Sequence, residues 1–144
     1  MSQENVELVL GLPPAPDVDL ARRFRDDAMW AATLEASGPI FHPDFEFTLP
    51  LFGTSETFLG REGHRAAYID WLTPWATYRV EIEEAIDLGD RVLLLNRGFG
   101  RHEGSQAEVE NASAALWTVR DGKITRAEFY ADRAEALKSA GLDA

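Results

Sequence analysis

Three groups of residues in this chain have the types and spacing to do chemistry. The first is "FHPDFEFTLP" (41–50), where His42, Asp44 and Glu46 stand two apart. On an extended strand such residues point to one side, so an imidazole and two carboxylates would form a row. Pro43 interrupts that row, and one histidine with two carboxylates and no second cluster falls short of a metal site. It reads as the solvated side of a strand whose buried side is Phe45, Phe47 and Leu49, and no metal is expected. The second group is Glu84, Arg97, Asn111 and Ser113, polar residues embedded in apolar alternation. If Glu84 faces Arg97 inside a pocket, burial raises the carboxyl pKa and the guanidinium lowers it. Glu84 would then be a tuned general base, with Arg97 and Asn111 as an electrostatic clamp. Alternatively, Arg97 holds a carboxylate or enolate of a ligand. The third group is aromatic: Trp30, Tyr68 and Trp71 either fill a core or line a binding pocket. His64, in the first turn of a helix, reads as a surface residue. His102 and Glu103 read as an exposed hairpin tip.

These residues need elements to position them. "GLPPAP" (11–16) stops a short N-terminal helix. Asp17 or Asp19 is placed to cap the next one, whose body from Leu20 to Ala36 breaks near Asp26–Asp27. The alternation at 44–49 predicts a strand, 51–58 a loop, and "GREGHRAAYIDWL" (60–72) a helix closed by Thr73-Pro74. In that helix Tyr68, Trp71 and Leu72 share a side. Beyond Trp75 the period changes to two, predicting strands at 78–88, 91–101, 107–119 and 123–131 joined as hairpins. Asp132 caps a last short helix that Gly141 ends. The expected organisation is one domain over 1–144: an N-terminal segment (1–16), helices and first strand (17–76), an antiparallel meander (77–131) and a C-terminal helix (132–144). The fold class is α+β, helices packed on a curved, mostly antiparallel sheet.

Centring the hairpins on residues 89–90, 104 and 121 sorts the meander into faces. One face collects Val80, Ile82, Glu84 and Ile86, then Leu93, Leu95, Arg97 and Phe99, then Asn111, Ser113, Ala115 and Trp117, then Ala127 and Phe129. A bulge would flip part of this register. The opposite face, with Val92, Leu94, Asn96, Ala114, Leu116, Glu128 and Tyr130, is also largely apolar. It calls for a cover, and a homodimer through the sheet supplies one.

The formal net charge of −11, from 14 Lys and Arg against 25 Asp and Glu, disfavours nucleic acid and anionic membranes as partners. There is no cysteine, so thiolate chemistry and disulfides are excluded. The start, "MSQENVELVL", lacks a basic region followed by a long apolar stretch, which points to the cytoplasm. No cofactor is called for, and the expected partner is a small hydrophobic or amphipathic organic ligand.

The segments "MSQENVELV", "FHPDFEF", "GREGHRAAYIDWL", "YRVEIEEAIDLGDRVLLL", "AALWTVRDGKI" and "EFYADRAEALKSAGL" resemble, in order and spacing, the SnoaL-like branch of the nuclear-transport-factor-2-like superfamily. Residues 11–36 match least well. The resemblance implies a cone-shaped α+β barrel with a central pocket between helices and concave sheet, and commonly a dimer. It does not fix an activity. Where ketosteroid isomerases keep a base before a proline, this chain has Leu49; their oxyanion-site acid matches Ala115. The acid/base seat of SnoaL-type cyclases matches Phe129, with Glu128 beside it. The aspartate–arginine–aspartate set of limonene-type epoxide hydrolases is matched only by Arg97 and Glu84, one acid short. These vacancies favour non-catalytic binding. The alternative is a cofactor-independent cyclase, isomerase or hydrolase using Glu84 and Arg97.

Overall fold

The computed structural model describes residues 2–12, 17–51 and 54–142. The N-terminal part forms α1 (Ser2–Leu10), α2 (Leu20–Arg25) and α3 (Asp27–Ser37), then a single 3₁₀ turn (Gly38–Ile40). Residues 13–16, the proline-rich part of "GLPPAP", lie outside the described residues. Asp19 caps α2 by accepting from the Ala21 N–H at 3.0 Å, and the same carboxylate oxygen accepts from the Tyr78 N–H at 2.9 Å. One short acid thus starts a helix and ties it to the sheet. Asp26 ends α2 and caps α3 through the Met29 N–H at 3.0 Å, which is the break expected near Asp26–Asp27.

The remaining elements are β1 (Phe41–Leu51), β2 (Thr54–Leu59), α4 (Gly60–Leu72), β3 (Trp75–Asp87), β4 (Arg91–His102), β5 (Glu108–Arg120), β6 (Lys123–Tyr130) and α5 (Arg133–Ser139). The strands make a six-stranded sheet in the order β2-β1-β6-β5-β4-β3, with β1 parallel to β6 and the other pairs antiparallel. β2 corrects the expectation of a loop at 51–58. Thr, Ser and Glu give no apolar alternation there, but the backbone pairs with β1, and the Thr48 and Thr57 hydroxyls meet across the ladder at 3.2 Å. A polar edge strand leaves little period-2 signal.

α1, α2 and α4 pack on one face of the sheet. Phe45, Phe47 and Leu49 of β1 are fully buried with Leu94, Ala115, Trp117, Ala127 and Phe129, against α4 and α1. The polar row His42, Asp44 and Glu46 stays half-buried or exposed, and the His42 ring accepts from the Asp44 N–H at 2.9 Å. No group of potential metal ligands occurs among the described residues. On the opposite face Leu93, Ala114 and Leu116 are buried under Ala136 and Ala140 at the C-terminal helix. Part of the apolar surface that prompted the expectation of a homodimer is therefore an intramolecular interface.

The register departs from the hairpin-centred reading at two points. A bulge between Ile82 and Glu84 shifts the β3–β4 pairing, so Ile82 opposes Asn96 while Glu84 opposes Leu95. The β4–β5 hairpin pairs Arg97 with Ala112 and Asn96 with Ser113, one residue from the expected register. The two offsets cancel for β5. Ser113, Ala115 and Trp117 share the inner face with Val80 and Ile82 as expected, but β4 is inverted. Val92, Leu94 and Asn96 face inward; Leu93, Leu95 and Arg97 face outward.

β4 passes close beneath two rings of β3. A Cβ on Gly98 would stand 2.0 Å from the Tyr78 hydroxyl, and one on Gly100 would stand 2.4 Å from the Trp75 ring. Tyr78 is buried between Trp71 and Trp75 and cannot swing aside. Gly98→Ala is therefore expected to destabilise by about 1–3 kcal/mol, a Tm lower by roughly 3–10 °C. Gly38→Ala, where the backbone is helical and nothing lies within 4 Å, should change stability by less than about 0.5 kcal/mol. Equal melting temperatures for the two variants would contradict the packing.

Candidate functional site

Between the helices and the inner sheet face lies a cavity of about 360 Å³. One wall is α4. Arg61, His64, Tyr68 and Trp71 all line the cavity, as their i, i+3, i+7, i+10 spacing requires. Aromatic rings continue the wall: Phe24 stacks on Tyr68 at 4.3 Å between centroids, and Trp30 lies 5.3 Å from Phe24. Trp71 contacts Phe129 at 5.0 Å and Tyr78 at 4.9 Å. The half-exposed α3 face around Thr33, Ala36 and Ser37, with Leu12 and Ile40, forms the rim.

Polar groups interrupt this wall in two places. At the α4 corner the Arg61 guanidinium lies 3.8 Å over the Phe41 ring and 5.4 Å from Trp30. Its Nη2 donates to the Ser37 hydroxyl at 3.0 Å, while Nε and Nη1 are buried without a partner. Burial lowers its pKa to about 10, so it stays cationic at neutral pH. One turn on, His64 is 5% exposed, ringed by Phe24, Phe41, Phe45, Phe47 and Tyr68, and its Nδ1 has no partner. Burial, and secondarily the Arg61 charge, push its pKa down to about 3. It is a neutral imidazole, and the expectation of a surface residue is corrected: α4 turns His64 inward, onto the Phe45 and Phe47 rings of β1. The Tyr68 and Tyr78 phenols are pushed up, chiefly by burial.

The second polar place is the sheet floor. Asn96 and Ser113 are cross-strand partners and both are buried; the Asn96 Oδ1 and the Trp117 Nε1 lack partners. Arg133 of α5 fastens this pair from the outer side. Its Nη2 donates to the Asn96 carbonyl at 2.7 Å and to Glu83 at 2.8 Å, and its Nε donates to the Ser113 carbonyl at 3.2 Å. The Arg133 and Arg97 bonds hold the Glu83 carboxyl below its usual range.

Of the residues expected at a site, Trp30, Tyr68, Trp71 and Ser113 come together around the cavity. Asn111 is exposed and accepts from the Tyr78 hydroxyl at 3.0 Å; it does not line the cavity. Glu84 and Arg97 are not a pocket pair. Glu84 is exposed on the outer face beside the bulge, and Arg97 bonds Glu83 at 2.7 Å and Glu110 on the outer face. Arg61, His64 and Asn96 went unrecognised. Helical spacing counted back from Tyr68 and Trp71 indicates the first two; Asn96 was hidden by the inverted β4.

The curved sheet, the covering helices and the cavity between them define a cone-shaped α+β fold of the nuclear-transport-factor-2 type. Residues 21–127 match the SnoaL-like domain, and the chain belongs to that family, which includes polyketide cyclases and isomerases. Among solved structures it is similar to TerC, co-crystallised with polyporic acid (25% identity, TM-score 0.64, covering 96% of this chain and 98% of that one). It is also similar to a protein of Jannaschia sp. CCS1 described as a SnoaL-like polyketide cyclase (21% identity, TM-score 0.65, 98% and 93% covered). A Burkholderia pseudomallei protein of unknown function shares the fold as well (19% identity, TM-score 0.64, 94% and 95% covered). No curated protein matches the chain in sequence.

His64 couples stability to pH. Its folded pKa near 3 lies below the ordinary 6.5, so between these values the unfolded chain binds a proton that the folded chain excludes. Stability from this source is full above 6.5 and falls toward pH 3 by about 1.4 kcal/mol per pH unit. In urea titrations from pH 7 to 4, wild type should lose stability faster than His64→Phe, by about that slope. A stability difference that stays constant with pH would show that His64 is not held neutral.

Proposed function

We propose that this protein binds a small, largely apolar and planar organic molecule in the cavity and does not transform it. The observation that carries this reading is a cavity of about 360 Å³ walled by aromatic rings, with no aspartate or glutamate among its described lining residues. Such a volume lies in the range of small-molecule sites, which combine apolar walls with a few polar groups. General acid–base work at neutral pH calls for a group whose pKa lies near 7. Here His64 is held near 3 and the Tyr68 and Tyr78 phenols are raised. The seats that carry acids in catalytic relatives hold Leu49, Ala115 and Phe129, all buried. Glu84 and Arg97, the residues of the enzymatic alternative, lie outside the cavity. TerC, co-crystallised with polyporic acid, supports a bound organic molecule on this fold.

The test is a thermal-shift and tryptophan-fluorescence screen of planar aromatic compounds, polyporic acid included, since Trp30, Trp71 and Trp117 all line the cavity. A ligand at a hundred times its Kd stabilises by about 2.7 kcal/mol. Ala115→Phe, which fills the floor, is expected to abolish that gain. Gain retained in Ala115→Phe places binding elsewhere, and chromatographic detection of product overturns the non-catalytic reading.

A further inference from the structure

We infer that the ligand is an organic oxyanion, a carboxylate or ionised enol on a planar ring system, and that Arg61 is its counter-charge. The inference rests on the cavity-binding reading and specifies its ligand class.

The argument starts from the state of Arg61. A guanidinium has five N–H donors in one plane and is charged throughout the physiological range. Phe41 at 3.8 Å covers the flat face of the group, and Trp30 lies 5.4 Å away. A plane held by aromatic rings offers further partners only its edges. One edge nitrogen, Nη2, donates to Ser37; Nε and Nη1 are buried and donate to nothing among the described residues. A half-buried guanidinium whose Nε and Nη1 are shut off from water and unpaired is costly unless an anion meets it. The chain contains 25 carboxylate side chains, yet none of the described ones forms an ion pair with Arg61.

The neighbouring groups favour the same ligand. His64, one turn along, is neutral and leaves Arg61 as the charged group at this corner. Arg23 also lines the cavity and makes no ion pair among the described residues, so the described lining carries two cations and no carboxylate in a protein of net charge −11. At the floor, the Asn96 Oδ1, buried on a residue 8% exposed and without a partner among the described residues, provides a second polar group. The complementary molecule carries an oxyanion at one end, a flat body against Tyr68, Trp71 and Phe129, and a neutral polar substituent on its far side. A neutral hydrocarbon would satisfy the rings and leave the guanidinium edge unmet.

Matched pairs test this directly. 2-Naphthoate and 2-naphthamide compare a carboxylate with its neutral isostere. 2-Hydroxy-1,4-naphthoquinone and its methyl ether do the same for an ionised enol. Calorimetric titration of wild type at pH 7.5 is expected to give at least about tenfold tighter binding for an anion than for its neutral partner, as suits charge-assisted bonds. Preference in the first pair alone assigns a carboxylate, and in the second alone an enolate. In Arg61→Met the preference should vanish while neutral-compound affinity stays within about twofold; Arg61→Lys should retain part of it. If the neutral members bind wild type as tightly as the anions, the oxyanion assignment is wrong while cavity binding stands. If neither member of either pair binds, cavity binding of planar aromatics fails with it. An anion preference that persists in Arg61→Met removes Arg61 as the counter-charge.

Discussion

The structure depends on one irregularity, the bulge between Ile82 and Glu84 where β3 meets β4. An extra residue in one strand bends it and increases its twist. Below the bulge, Val80 and Ile82 turn toward the cavity; above it, Glu83 and Glu84 turn away. Glu83 is thereby free to join Arg97 and Arg133 on the outer face, and Arg133 in turn holds the backbone carbonyls of Asn96 and Ser113. The same bend sends the acids outward and fastens the polar floor of the cavity from behind.

The consequence is a separation of chemistries by face. Outside, charges pair in a half-exposed network of arginines and glutamates, where each pair adds little to stability. Inside, aromatic rings enclose a neutral histidine and an arginine with unmet edges. Keeping such groups in an apolar setting costs stability, and the fold tolerates that cost through a core of Phe45, Phe47, Leu49 and Leu94 packed beside them.

Membership of the SnoaL-like family narrows the fold and leaves the chemistry open, since one scaffold serves several functions. In this chain Leu49, Ala115 and Phe129, the positions to which the resemblance assigns catalytic acids, are buried and apolar, and the polar groups around the cavity come from other positions. Arg61 and His64 sit on α4, while Asn96 lies on the strand whose facing the bulge controls. A family-based search for catalytic acids passes over all three.

Much of the fold was legible in the sequence. Hydrophobic period, proline and glycine stops and capping acids located α4, the four-strand meander and the last helix, because these signals act within a few residues of one another. Trp30, Tyr68 and Trp71 line the cavity from helices that local spacing defines, whereas Ser113 does so only because two register offsets cancel. The polar edge strand β2 was not legible, since only its partner makes it a strand. The facing of β4 was not either: a bulge and a one-residue longer hairpin depend on how whole strands meet, and a shift of one residue reverses every side chain. Local patterning determined the α+β class, the helices and the aromatic wall. Only the tertiary structure decided that Arg97 and Glu84 face outward while Arg61, His64 and Asn96 face the cavity, because orientation about a sheet is a property of paired strands and packed helices.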